Sequence, residues 1–182
     1  MGMAAPVYYT ADMVRALPDD GNRYETVHGE LLVTPSPRLT HQRVVRRLAL
    51  ALGRYLENEP VGELFTSPAD ISWGPDILVQ PDLFVASLAE TRTNEWRAVQ
   101  TLLLAVEVLS PSSQRADRFT KRRLYQSVGI PLYWVVDPDA EAIEVWTPGA
   151  TLPAVERDRV IWRAPGASRP CTIDVAPLFL PA

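Results

Sequence analysis

The sequence contains one cysteine, Cys171, and two histidines among its 182 residues. A single cysteine excludes an internal disulfide and any cysteine-rich zinc site, so we expect Cys171 to be structural. With only His28 and His41 available, a histidine-based zinc hydrolase is not expected. The chain also has neither a G-x-x-x-x-G-K-[ST] loop nor a G-x-S-x-G elbow. Readings as a P-loop nucleotide-binding protein or a serine hydrolase therefore lack support.

Long apolar runs are missing as well. No stretch reaches the 18 or so consecutive apolar residues that a membrane span requires. The first residues, MGMAAPVYYT, have neither a charged segment nor a long apolar one. We therefore expect no membrane span and no signal peptide, and we predict a soluble, cytoplasmic protein with no membrane partner.

The chain has one lysine, Lys121, among its 18 Lys and Arg residues. Five of these basic residues fall between 115 and 123, although the net charge of the whole chain is −4. That acidic balance is not typical of a protein that coats nucleic acid. Lysine is a compact point charge whose pKa shifts readily, which arginine cannot imitate. We therefore treat Lys121 as a candidate functional residue.

Length and hydrophobic pattern predict one domain over residues 1–182, because the chain is long enough for a single substantial core. A short helix is expected within 12–23, ending before Pro18, followed by two strands within 24–35 around His28-Gly29. The later elements are a helix capped by Thr40 and running to Asn58, strands at 63–66, 69–73, 77–85 and 101–109, a helix over 113–128, a hairpin over 132–146, and a strand over 159–164. This order predicts an α/β or α+β fold with a mixed sheet flanked by helices.

Glu107 is the only charged residue in the apolar run 101–109. Alternation along a strand places Leu103, Ala105, Glu107 and Leu109 on one face, and the other face is also apolar, so the strand should be central. An unpaired carboxylate there would cost several kcal/mol, on the order expected for a buried charge. Glu107 must therefore lie at the open end of the strand, be protonated, or meet a cation.

Asp82 is a second acid in an apolar strand context, directly after Pro81. Two such carboxylates on paired strands could share a divalent ion, because magnesium prefers hard oxygen ligands. Two simpler alternatives stay open: Asp82 turns the chain after Pro81, and Glu107 pairs with an arginine.

The predicted helix over 113–128 carries a third group of candidates. Asp117, Lys121 and Tyr125 are spaced four residues apart and share one helix face. The alternative is a surface Asp–Lys pair worth about 0.3–0.5 kcal/mol.

Taken in order, Pro81-Asp82, Glu107 in VEVLSPSS, the pattern D-x3-K-x3-Y and GIPLYWVVDP resemble the Uma-two family of restriction-endonuclease-like proteins. That family belongs to the PD-(D/E)XK nuclease superfamily. Upstream, YETVHGELLVTPSPRLTHQRV is similar to the family's N-terminal segment, so the resemblance covers about 20–147. It departs from the superfamily pattern at Leu109, where lysine is usual; in the Uma-two family the lysine comes from the following helix, and Lys121 is the matching residue.

The resemblance implies a restriction-endonuclease-like fold and hydrolysis of DNA phosphodiester bonds with Mg²⁺, which Mn²⁺ could replace. Asp82, Glu107 and the backbone carbonyl of Val108 would hold the metal, and Lys121 would orient the attacking water or offset developing charge. A homodimer is expected by the same analogy.

Three further residues are auxiliary candidates. Glu30 is either an outer carboxylate of the site or an exposed strand residue. His41 either touches phosphate at its helix N-terminus or simply starts that helix, and Asp117 would support Lys121.

Two other functions stay open at this point. The chain could be a catalytically inactive module of the same fold that binds nucleic acid or protein, or a metal-dependent hydrolase of a smaller phosphoester.

Overall fold

A computed structural model describes residues 7–181. The helices are α1 (Ala11–Arg15), α2 (Leu39–Asn58), α3 (Leu88–Thr91), α4 (Arg122–Ser127) and α5 (Ala176–Phe179), with a 3₁₀ turn at Trp96–Ala98 and a π-helical segment at Ala116–Lys121. The strands are β1 (Arg23–Val27), β2 (Glu30–Thr34), β3 (Gly62–Thr66), β4 (Ile71–Gly74), β5 (Ile77–Val79), β6 (Leu83–Ser87), β7 (Leu102–Val108), β8 (Tyr133–Asp137), β9 (Ala142–Trp146), β10 (Ala154–Glu156), β11 (Arg159–Trp162) and β12 (Cys171–Asp174).

Three sheets form the framework. The largest has six strands in the order β10-β9-β8-β7-β6-β3, and a smaller one has the order β2-β1-β5-β4. Only the β7–β8 pair is parallel among the strand pairs of residues 7–181; the others are antiparallel. The parallel pair needs a crossover, and the helical stretch after β7 supplies it. The predicted mixed sheet flanked by helices is therefore confirmed.

Helix α2 covers one face of the large sheet. Its buried apolar residues recur every four positions, so they form one stripe: Val44, Leu48, Leu52 and Leu56. The expected cap at Thr40 is wrong, because the helix begins at Leu39 after an extended Arg38 and Thr40 already lies in its first turn. No helix within residues 7–181 is both long and apolar enough to cross a membrane.

Strand β7 is central, as predicted, with β6 on one side and β8 on the other. Leu104, Val106 and Val108 pack towards α2, whereas Ala105 and Leu109 join a second core on the opposite face. The expected alternation fails at the start of the strand, where Leu102 belongs to the second core. The cause is a register shift in the β6–β7 pairing, since Val85 pairs with Leu104 but Ala86 pairs with Leu102.

The predicted strand 77–85 is two strands in the structure. β5 belongs to the smaller sheet and β6 to the larger one, and the chain passes between them through Gln80, Pro81 and Asp82. Proline has no backbone N–H for a sheet ladder, which is why the strand is interrupted there. Asp82 therefore stands where the chain enters the large sheet.

Candidate active site

Asp82 and Glu107 meet at one end of the β6–β7 pair. Leu83 pairs with Val106, so the antiparallel register places Asp82 opposite Glu107 one step further on. The Asp82 carboxylate also accepts a hydrogen bond of 2.8 Å from the backbone N–H of Val108. The predicted convergence of the two acids is therefore present in the geometry, whereas their role as metal ligands, and that of the Val108 carbonyl, stays a prediction.

Glu107 is completely buried, and one of its oxygens is paired twice. Its Oε1 accepts hydrogen bonds of 3.0 Å from the Lys121 amine and 3.0 Å from the Tyr125 hydroxyl. Its Oε2 is buried without a hydrogen-bond partner. Burial raises the pKa of Glu107 well above its usual range, although the charge of Lys121 opposes that effect. Of the three alternatives given for this acid, the nearby cation is confirmed, because Glu107 contacts Lys121 while remaining fully buried near the end of β7.

Lys121 is only 1% exposed and lies among three carboxylates. Its Nζ is 2.8 Å from Glu25 Oε2, 3.0 Å from Glu107 Oε1 and 3.5 Å from Asp117 Oδ1. Burial alone would lower the pKa of the amine, but the charges of Glu107, Glu25 and Asp117 raise it above its ordinary value. Both Lys121 and Asp117 are buried, so the alternative of a surface Asp–Lys pair is wrong.

A π-helical segment carries two of these residues. Ala116–Lys121 has hydrogen bonds from i to i+5, which makes the turn wider than in an α-helix. Asp117 and Lys121 are both buried, so the shared face predicted from their spacing is confirmed. Burial raises the pKa of Asp117, although Lys121 opposes the shift.

Glu25 belongs to the cluster, yet we did not single it out from the sequence. It is fully buried on β1, and its Oε1 accepts a 2.7 Å hydrogen bond from the Gln80 backbone N–H. The sequence pattern could have indicated this burial, because Glu25 shares a strand face with the apolar Val27, as Glu107 shares one with Ala105. Glu30, the outer carboxylate that we considered instead, is exposed at the start of β2 and forms no ion pair within residues 7–181.

Two basic side chains engage Asp82. Arg23 donates from Nη1 to Oδ1 at 2.8 Å, and Nε2 of His41 lies 3.0 Å from Oδ2. Burial would raise the pKa of Asp82, but the hydrogen bond with His41 and the charge of Arg23 hold it below its usual range. His41 thus contacts a site residue, and its expected contact with phosphate stays a prediction. Arg23 is a second residue that the sequence reasoning missed.

The charges of the cluster do not balance internally. Four buried carboxylates face the cations Arg23 and Lys121: Glu25, Asp82, Glu107 and Asp117. If all four are ionised and His41 is neutral, two negative charges are uncompensated. A bound divalent cation would favour the ionised form of Glu107, which burial disfavours, and the unpaired Glu107 Oε2 is a hard oxygen donor for such an ion.

The side chains are not pre-arranged around such an ion. Within residues 7–181, no three or more His, Cys, Asp or Glu side chains are positioned together as a metal site. Both oxygens of Asp82 already accept hydrogen bonds, from Arg23, His41 and the Val108 amide. The residues therefore fit Mg²⁺ in charge and in donor type, and at least one of these contacts must give way for Asp82 to bind it.

A cavity of about 930 Å³ reaches this cluster from outside. Asp82, Arg23 and His41 line it, together with the N-terminal part of α2 and the loop Ser110–Ser113. Glu25, Glu107, Asp117 and Lys121 do not line it. Asp82 is thus the carboxylate of the cluster that faces the cavity.

The comparisons with known proteins agree with this fold. Residues 11–168 match the model of the family described as "Uma2: Putative restriction endonuclease", which is most of the chain. The protein therefore belongs to the Uma2 family. Among solved structures it is similar to the crystal structure of "a putative nuclease belonging to DUF820" from Anabaena variabilis ATCC 29413. That similarity has a TM-score of 0.76 at 21% identity, covers 94% of this chain and 97% of the other, and shows the shared fold. A comparison with curated proteins gave no match.

Proposed function

We propose that the protein is a Mg²⁺-dependent endonuclease that hydrolyses DNA phosphodiester bonds. The observation that carries the proposal is the position of Lys121, whose amine lies 3.0 Å from Glu107 although the two residues come from a helix and a strand. Family membership and the restriction-endonuclease-like fold support a nuclease in general. The metal, the DNA substrate and the roles of the individual residues are proposed in addition to that general activity.

Asp82, Glu107 and the carbonyl of Val108 would hold the ion. When bound, Mg²⁺ polarises a phosphate and lowers the pKa of bound water from about 15.7 towards neutrality. Water adds to phosphorus and the P–O bond to the leaving alcohol breaks, which produces a phosphate monoester and a hydroxyl.

The remaining residues of the cluster fix its charges. Lys121 supplies a buried cation that Glu25 and Asp117 contact in addition to Glu107. It offsets negative charge that develops on the phosphate oxygens. Tyr125 orients Glu107 by donating to its Oε1, and this leaves Oε2 free for another partner. Arg23 and His41 position Asp82 at the floor of the cavity.

Cleavage of a labelled DNA in Mg²⁺ and in Mn²⁺ tests the proposal. We expect wild type to cut and Glu107→Gln to lose at least about 100-fold in rate, because electrostatic stabilisers of this kind contribute about 10²–10³. Glu63→Gln is the matched control, since Glu63 is exposed on β3 and should leave the rate unchanged. Unfolding curves should show that both variants are folded. Equal cleavage by Glu107→Gln and wild type would reject the proposal.

A catalytically inactive binding module is the second candidate. The saturated hydrogen bonding of Asp82 and the absence of a pre-arranged metal site within residues 7–181 favour it. It predicts salt-sensitive binding that survives Glu107→Gln, with no cleavage in either metal. A homodimer, expected from the resemblance, stays a prediction that solution mass measurement can test.

A further inference from the structure

We propose that the cavity beside Asp82 admits a single strand of DNA rather than a duplex, and that Arg38 and Arg46 bind phosphates of that strand. This inference rests on the proposed function and narrows its substrate class. It depends on three features: how the acids are reached, which charges line the approach, and what donors face them.

Access to the acids runs through the cavity. Asp82 is 4% exposed and Glu107 is 0% exposed, so a phosphate can approach them only by entering the recess that Asp82 lines. The recess has a volume of about 930 Å³, which lies within the range of about 300–1,000 Å³ typical of small-molecule pockets. A duplex carries its phosphates on a wide cylinder with grooves about 12 and 6 Å across. A flexible single strand can turn one phosphate into such a recess, whereas a regular duplex holds its phosphates in fixed positions along the edges of its grooves.

Two of the arginines that line the approach have no protein partner in residues 7–181. Arg38, Gln42 and Arg46 are exposed, line the cavity and recur every four residues; Arg38 immediately precedes α2 and the other two lie on it, so the three form one row along one side of the helix. Neither Arg38 nor Arg46 forms an ion pair or a side-chain hydrogen bond within the described residues, whereas the cavity-lining Arg15 pairs with Asp12 and Asp70. The row is about 12 Å long at 1.5 Å per residue. One extended strand can therefore contact the two arginines through different phosphates.

Hydroxyl groups line another part of the cavity. Ser110, Ser112 and Ser113 lie in the loop after β7, and the Ser110 hydroxyl is 3.1 Å from that of Ser112. Ser112 is exposed, so its hydroxyl can donate to a phosphate or sugar oxygen. Uncommitted arginines and hydroxyl donors favour a polyanion. The net charge of −4 for the whole chain does not favour the broad basic face that duplex binding would use.

Fluorescence anisotropy in EDTA tests the inference separately from catalysis. The probe is a fluorescein-labelled oligonucleotide, measured alone and annealed to its complement. We expect the single strand to bind more tightly than the duplex, and Arg38→Ala/Arg46→Ala to weaken single-strand binding by about tenfold or more. The double variant should also reduce the slope of log K against log salt by about 1.4, since each single-strand phosphate contact contributes about 0.7. Arg54→Ala is the control, because Arg54 is exposed on the same helix but outside the cavity.

The outcomes separate the two proposals. Selective, arginine-dependent binding of the single strand without cleavage in Mg²⁺ would support strand binding and reject hydrolysis. Cleavage within blunt duplex DNA at the rate of single-stranded DNA would support hydrolysis and overturn the inference. Equal binding by the double variant and Arg54→Ala, or no binding of either probe, would also overturn it.

Discussion

Replacing Lys121 by methionine tests whether this lysine balances the buried acids. Methionine is unbranched and of similar length, so the substitution removes the charge and keeps most of the packing volume. Glu107, Glu25 and Asp117, each 0–1% exposed, would then lose the cation that contacts all three.

The expected loss of stability is large. Removing one partner of a buried ion pair costs about 3–5 kcal/mol, because an uncompensated charge is left behind. Water does not screen these groups, since Lys121 and its three partners are almost fully buried. For a chain of this size each kcal/mol shifts Tm by about 2–4 °C, so we expect Lys121→Met to lower Tm by roughly 6–20 °C.

The loss should depend on pH. The pKa of Glu107 is raised in the folded protein, and removal of Lys121 must raise it further because the attractive charge is gone. A carboxyl with a raised folded pKa favours folding below its unfolded pKa of about 4.3, and this advantage is lost as pH rises through the folded pKa. The penalty of Lys121→Met should therefore be smaller at pH 5 than at pH 8.

Urea unfolding of four proteins measures the effect: wild type, Lys121→Met, Glu107→Gln and the double variant. Glu107→Gln puts a neutral amide in place of a carboxyl whose charged form burial already disfavours, so it should cost less stability than the loss of Lys121. Lys121→Met should lower the free energy of unfolding less in the Glu107→Gln background than in wild type. The difference between the two losses is the coupling energy between the two residues. A loss below about 1 kcal/mol for Lys121→Met at pH 8 would refute the charge balance that we infer.

Two further predictions concern the framework around the site. Asp137 accepts hydrogen bonds from the Ala140 amide and Arg118, and although burial would raise its pKa these contacts lower it. Asp137→Asn should therefore lower the free energy of unfolding by about 1 kcal/mol above pH 4. This difference should fade as pH falls through the lowered folded pKa of Asp137. Equal losses at pH 3 and pH 7, measured by urea unfolding, would contradict the prediction. Leu48 is fully buried between α2 and the large sheet. Leu48→Ala should therefore lower the free energy of unfolding by about 2–5 kcal/mol, while DNA cleavage stays intact at temperatures below the lowered Tm. Leu50→Ala is the control, because Leu50 is exposed on the same helix.

The sequence was sufficient to predict the main framework, because the deciding features are local. The apolar stripe of α2, the apolar strand around Glu107 and the Asp137 turn follow from periodicities that tertiary contacts did not override. The division of 77–85 into two strands was not predicted. It depends on which sheet each half joins, and that choice is made by distant partners, β1 for one half and β3 and β7 for the other.

The site was predicted in part for a related reason. Asp82, Glu107 and Lys121 are conspicuous because each is out of keeping with its surroundings: two acids in apolar strands and the one lysine of an arginine-rich chain. Arg23 and Glu25 lie in the polar-looking segment RYET, where charged residues are ordinary. Their burial is a consequence of β1 pairing with β2 and β5 beside the large sheet, which no local pattern reports.

The π-helical segment is a local backbone feature that lies at the buried charge cluster. Residues four apart share one face even in an α-helix, and within the π-helical segment Asp117 and Lys121 are both buried. Both side chains can then enter the same buried space, where Lys121 reaches Glu25 on β1 and Glu107 on β7 together. The rare helix geometry therefore lies where a single side chain contacts acids from two strands, and π-helical turns are frequent at functional sites.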